Sequence, residues 1–212
     1  MQPEIQWLCH ASVRVVWHEK IIYFDPWKLK REPKGDIVCI SHPHFDHLDL
    51  EDVQKVLAPE SILVGPADVV SRIETRNKIT LAVGEVKECI GFKITGLPAY
   101  NLKVHYHPKE KGWLGFLVES EGTSLYFAGD TDFVPELEQV HPTIAILPIG
   151  GTYTMDAEEA ARAVEIMRPK IAIPVHYGET VGTLQDAEKF AALCAGKAEV
   201  QVLKPVYQNT TS

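Results

Sequence analysis

Short apolar runs set apart by polar punctuation dominate the first half of the chain. Residues 5–9, 13–17 and 21–24 are rich in β-branched and aromatic side chains and read as strands, with His18-Glu19-Lys20 turning between the last two. Residues 36–40 are apolar enough to form a strand buried on both faces. A helix is expected over 49–57, stopping before Pro59, with Asp49 and Asp52 suited to its cap and first turn. Residues 61–64 form a short apolar stretch. Pro66 then opens a helix expected to run to Glu74. Strands near 79–83, 86–90 and 92–96 follow.

The second half has a different rhythm. Residues 101–112 are polar, carry His105, His107 and lysines, and read as a loop. Residues 113–119 and 124–128 make a hairpin around Glu121-Gly122. Residues 144–147 and 171–175 are buried strands. Between them lies the clearest helix. Asp156 caps it, Glu159 follows three residues later, Ala160, Val164 and Met167 share one face, and Pro169 ends it. A last helix is expected over 183–194, with Ala187, Phe190, Ala191 and Cys194 on one face and Gly196 as its stop. Residues 198–203 read as a closing strand. Two sheets with helices packed outside satisfy this order within one domain spanning 1–212.

Composition narrows the function. The 212 residues suffice for a sizeable core, and 45% apolar with 24% charged residues is ordinary for a globular protein. A net charge of −8 with scattered lysines speaks against nucleic acid as a partner. Cys9, Cys39, Cys89 and Cys194 lack paired spacing and read as reduced core residues. The amino terminus does not have the pattern of a signal peptide, and no apolar run approaches a membrane span. The expectation is a cytoplasmic protein without a membrane partner.

The chemistry concentrates in Ser41-His42-Pro43-His44-Phe45-Asp46-His47. Neutral imidazole and ionised carboxylate are good donors to a zinc-type cation, and the run follows a predicted buried strand, where sites of layered α/β proteins tend to lie. His42 pairs with His44, and Asp46 with His47. Gly129-Asp130 and His176 also stand at the ends of buried strands. Four histidines and two aspartates exceed the needs of one tetrahedral ion, so a binuclear site is plausible.

These motifs resemble the metallo-β-lactamase superfamily, and within it the small metal-dependent hydrolases that include ascorbate-6-phosphate lactonase. His42 to His47 matches the HxHxDH motif, Gly129-Asp130 the bridging aspartate and His176 the final ligand. Trp7-Leu8-Cys9-His10-Ala11-Ser12, Asp25-Pro26 and the stretch from Ala145 to Met155 resemble further features of that subgroup. The resemblance implies an αββα sandwich of two mixed sheets with helices on the outer faces. It implies a first metal on His42 and His44, and a second on Asp46, His47 and His176. Asp130 would bridge them, and Asp25 would hold a ligand imidazole in its tautomer. The cofactor implied is one or two divalent ions, zinc foremost, with manganese or iron as alternatives.

One departure stands out. The superfamily's further first-metal histidine follows a proline at a strand end. In Leu97-Pro98-Ala99-Tyr100-Asn101 that position holds Asn101. Either the first metal is weakly held, or His105 or His107 reaches in, with His107 preferred. His10 is assigned to the pocket. Tyr100, Tyr153 and Tyr177 flank site segments and are candidate substrate contacts.

The function implied is hydrolysis of a small-molecule ester, lactone, thioester, amide or phosphodiester by a metal-activated water, with Asp46 or Asp130 handling the proton. The alternatives are a metal- or ligand-binding protein without turnover, a nuclease and a di-iron oxidoreductase. Homo-oligomerisation stays open.

Overall fold

A computed structural model describes residues 2–207. The chain divides into two compact units, one up to Ala82 together with the end from Lys204, the other Val83–Leu203.

The first unit is a six-stranded mixed sheet in sequential order: β1 (Glu4–Cys9), β2 (Ser12–Trp17), β3 (Lys20–Phe24), β4 (Gly35–Cys39), β5 (Leu57–Gly65) and β6 (Asn77–Thr80). The first two junctions are antiparallel and the next three parallel. His18 and Glu19 both take positive φ, the backbone of a tight hairpin whose twist matches its strands. Helix α1 (Leu50–Val56) joins β4 to β5, and Asp49 caps it by accepting from the amides of Glu51 and Asp52. Val53 and Val56 of α1 pack with Val38 and Leu63 of the sheet and with Ile40 just past β4 into one apolar core.

Three expectations need correction. β5 begins at Leu57 rather than 61, because the chain turns extended two residues before Pro59 and never leaves the sheet. Helix α2 spans only Ala67–Val70, not 66–74. The Arg72 amide bonds the carbonyl of Val69, three residues back, tightening the last turn and ending it. The closing strand shrinks to Glu199–Val200. Beyond it the chain returns to the first unit, where the amides of Val206 and Tyr207 donate to the carbonyls of Trp7 and Leu8 and cover the edge of β1.

The second unit is a seven-stranded mixed sheet. Its strands also lie in sequential order: β7 (Val86–Cys89), β8 (Phe92–Pro98), β9 (Leu114–Ser120), β10 (Thr123–Phe127), β11 (Ile144–Pro148), β12 (Ile171–Val175) and β13 (Glu199–Val200). β7 to β10 pair antiparallel, and β10 to β13 parallel. Helix α3 (Ala157–Met167) buries Ala160, Val164 and Met167, the face its spacing predicts. Helix α4 (Leu184–Leu193) starts with a reciprocal Thr183–Asp186 capping box. The four cysteines are free thiols; three are buried, whereas Cys89 is half-buried rather than core. Among the described residues, no helix is long and apolar enough to cross a membrane.

Parallel pairing fixes where chemistry can sit. β3 and β4 both end at one edge of the first sheet, delivering Asp25 and Ser41-His42 together. β10, β11 and β12 do the same in the second, delivering Asp130, Gly150 and His176. At these ends the backbone is unusual. His10, Asp25 and His176 have φ of 46°, 44° and 60°, the left-handed region that non-glycine residues seldom occupy outside special sites.

One core position makes a prediction. The Tyr126 hydroxyl is buried with no hydrogen-bond partner among the described residues. Burial alone drives its pKa far upward. Removing an unsatisfied buried polar group is neutral or favourable. Tyr126→Phe should therefore leave stability unchanged or raise it by about 1 kcal/mol in urea unfolding. A loss above about 1 kcal/mol would show that the hydroxyl has a partner.

Candidate metal centre

In the first unit the donors are organised around one carboxylate. Asp25 is fully buried. Its Oδ1 accepts from the Ser41 amide at 2.7 Å. Its Oδ2 accepts from the Ser41 hydroxyl at 2.6 Å and from His47 Nδ1 at 2.7 Å. The single Ser41 proton points at Asp25, so the 2.9 Å contact between Ser41 Oγ and His42 Nδ1 must run the other way, with the imidazole donating. Both His42 and His47 therefore carry a proton on Nδ1, which in the neutral ring keeps the lone pair on Nε2. A hydrogen bond on one ring nitrogen that leaves the other to a metal is the usual support of a ligand histidine.

The HxHxDH segment folds back on itself, since the His47 and Leu48 amides both donate to the His44 carbonyl. The His42 ring lies 4.6 Å from that of His44 and 4.1 Å from that of His47, between centroids. Asp46 Oδ2 lies 3.1 Å from His10 Nε2 and 3.9 Å from His47 Nε2. His10, expected in the pocket, is thus buried against the Asp46 carboxylate. Donor atoms of Asp25, His42 and His47 lie within 4.8 Å of one another.

In the second unit Asp130 sits between two histidines. His107 Nε2 is 3.4 Å from its Oδ2, and His176 Nε2 is 3.2 Å from its Oδ1. A Cβ added at Gly150 would stand 2.6 Å from the His176 carbonyl and 3.1 Å from its Nδ1, so only glycine lets β11's end approach that ring. Asn101 does not stand beside His107 as a rival: its Oδ1 accepts from the His107 amide at 3.1 Å and from His107 Nδ1 at 2.9 Å. The loop after β10 is stitched to the end of β8, because the Asp132 amide donates to the Tyr100 carbonyl and Thr131 Oγ1 accepts from the Tyr100 amide.

The tyrosines separate. The Tyr100 hydroxyl donates to Glu136 at 2.9 Å, beside Lys109, and Tyr177 is buried, which pushes its hydroxyl up to about 12. Tyr153 is half-buried and meets the exposed Tyr106 edge-on at 4.6 Å. His105 is exposed on the loop. Two residues escaped sequence reasoning. Ser41 stood inside the quoted run, but a serine beside a histidine carries no distinctive signal. Asp132 lies two residues after Asp130, and only loop closure reveals its partners.

Comparison with known proteins places this geometry. The model of a family described as Beta-lactamase superfamily domain matches residues 4–176. A UPF0173 metal-dependent hydrolase from Hyperthermus butylicus is 33% identical over 226 residues, covering 95% of this chain and 96% of that protein. A solved structure from Parabacteroides distasonis superposes with a TM-score of 0.85 at 28% identity, over 95% of this chain and 94% of the other. Igni18, a metallo hydrolase from Ignicoccus hospitalis, does so with a TM-score of 0.79 at 25% identity, over 96% and 95%. Two mixed sheets bearing these donors thus have the metallo-β-lactamase fold. The chain belongs to the metallo-β-lactamase superfamily, as one of its metal-dependent hydrolases.

The Asp25 arrangement is testable without substrate. Asp25→Asn replaces one of the two oxygens with an NH₂ group, so the one or two donors that face it lose their acceptor inside the protein. It should cost about 1–3 kcal/mol in urea unfolding of the metal-free protein. Ser41→Ala should cost less stability, yet weaken zinc binding about 10- to 100-fold through loss of the His42 tether. Wild-type stability for Asp25→Asn would contradict the proton assignment.

Proposed function

We propose that residues 1–212 form one hydrolase domain whose metal ligands are His42, His44, Asp46, His47, Asp130 and His176, joined by His107. The observation that supports this most is the proton placement. Acceptors at Nδ1 of His42, His47 and His107 leave each Nε2 as a lone-pair donor. The donor set of imidazoles and carboxylates suits zinc first, with manganese or iron as alternatives. Bound divalent metal supplies Lewis acidity and lowers the pKa of water to about 7, giving a nucleophile at neutral pH.

The chain's own groups supply the rest. Asp46 is the carboxylate that handles the proton. Its side chain keeps 16% exposure against 4% for Asp130, and His10 Nε2 stands 3.1 Å from its Oδ2, holding the carboxylate in place. Asp130, between two imidazoles, would be the carboxylate shared by the ions if two bind. Asp25 keeps the His47 and His42 rings oriented. The substrate is a small molecule with an ester, lactone, thioester, amide or phosphodiester bond. Tyr153 with its edge-on partner Tyr106 is the favoured aromatic contact. The acidic net charge of −8 argues against a nucleic-acid substrate, and the cytoplasm is the compartment that best suits four free thiols.

The tests are metal content and turnover. Chelation should lower the melting temperature, since a ligand at one hundred times its dissociation constant adds about 2.7 kcal/mol. Asp130→Ala should weaken zinc binding at least ~10-fold and abolish hydrolysis of whichever bond in a panel of the five classes is cleaved. Identical melting before and after verified metal removal, or full zinc content in Asp130→Ala under limiting metal, would overturn the proposal.

A further inference from the structure

We propose that Asp132 and Asn101 form a tether that fixes the tautomer and direction of His107, so that Asn101 is the anchor of a relocated ligand rather than a lost one. The inference rests on the reading of His107 as a metal ligand.

Every polar atom of the Asn101 side chain is committed. Nδ2 donates to Asp132 Oδ1 at 3.1 Å and to the Tyr153 carbonyl at 2.8 Å. Oδ1 accepts from the His107 amide at 3.1 Å. A carboxylate and a peptide carbonyl only accept, and a backbone N–H only donates, so the amide has one orientation that satisfies all three. It follows that Oδ1, an acceptor, meets a proton on His107 Nδ1 at 2.9 Å. In the neutral ring His107 then has its lone pair on Nε2, the atom 3.4 Å from Asp130 Oδ2.

Asp132 anchors the tether from the other side. Its Oδ2 accepts from the amides of Leu102 at 2.7 Å and Lys103 at 3.2 Å, while its Oδ1 holds Asn101. The Asn101 amide donates to the His107 carbonyl at 2.8 Å, closing the loop at its base. Asn101, His107 and Asp132 are all buried, whereas Leu102 and Tyr106 between them are exposed. The loop thus carries one buried imidazole inward on a rigid base. A histidine at position 101 would abolish the acceptor for both the His107 amide and His107 Nδ1, leaving two buried donors unsatisfied. Restoring the superfamily's usual residue here should damage the site, not repair it.

The experiment is zinc titration of metal-free wild type, His107→Ala, Asn101→Ala, Asn101→His and Asp132→Asn by calorimetry. Ring-nitrogen NMR of the metal-free proteins accompanies it, with His107 assigned by its loss in His107→Ala. The result expected is that His107→Ala, Asn101→Ala and Asn101→His each weaken one zinc about 10- to 100-fold and leave a second zinc, where one binds, nearly unchanged. Asp132→Asn should weaken the same ion. His107 should be protonated on Nδ1 in the wild type and lose that preference in Asn101→Ala, a change that a merely structural role would not produce. If His107→Ala binds zinc as wild type does, the metal reading of His107 fails. If it weakens zinc but the Asn101 variants do not, if Asn101→His tightens zinc, or if wild-type His107 carries its proton on Nε2, the tether is wrong while the metal reading stands. The wild-type spectrum decides even where a variant does not fold.

Discussion

The buried carboxylate of Asp25 is the interaction on which the first unit's chemistry depends. A charge taken fully out of water is costly unless hydrogen bonds satisfy it. Here three donors do so, from Ser41 twice and from His47 once, all within 2.7 Å. The Asp25 amide also donates to the Cys39 carbonyl, pinning the end of β3 to the end of β4. The positive φ at Asp25 is sustained by this surrounding network. Packing of the parallel strands, the strained corner and the histidine tautomers are therefore one arrangement.

The second unit reaches the same chemical end by other means. Its acceptor is an amide rather than a carboxylate, and Asp132 stands one step behind it. An amide oxygen is a weak ligand for a zinc-type ion but a competent acceptor for an imidazole proton. On the proposed reading, that difference lets asparagine serve at position 101 without being a ligand. In both units the sheet supplies parallel strand ends, and a carboxylate bonds Nδ1 of His47 directly and stands behind Ser41 and Asn101, the partners of His42 and His107.

Much of this was legible in the residues themselves. The presence and order of most strands, the Asp156 cap and the histidine run follow from local pattern, because each is decided by neighbours in sequence. What local pattern missed depended on distant partners. The expected box at α3 is only half made, since Glu159 accepts from the Phe133 amide and pairs with Lys103 instead of reaching back. β13 is short because the chain's end is drawn to the edge of β1, a strand nearly two hundred residues earlier. The role of Asp25 came from resemblance alone. Ser41 and Asp132 gave no signal, because their meaning lies in which proton they accept or donate, and that is set by loop closure in three dimensions.

The central claim is that hydrogen bonds at Nδ1 dedicate Nε2 of His42, His47 and His107 to metal. Anomalous diffraction from crystals grown with zinc tests it most directly. The account predicts zinc peaks about 2.0–2.1 Å from those Nε2 atoms, with Ser41, Asp25 and Asn101 still bonded to the opposite nitrogens. Zinc on the Nδ1 side of these rings, or no zinc at His42 and His47, would contradict it.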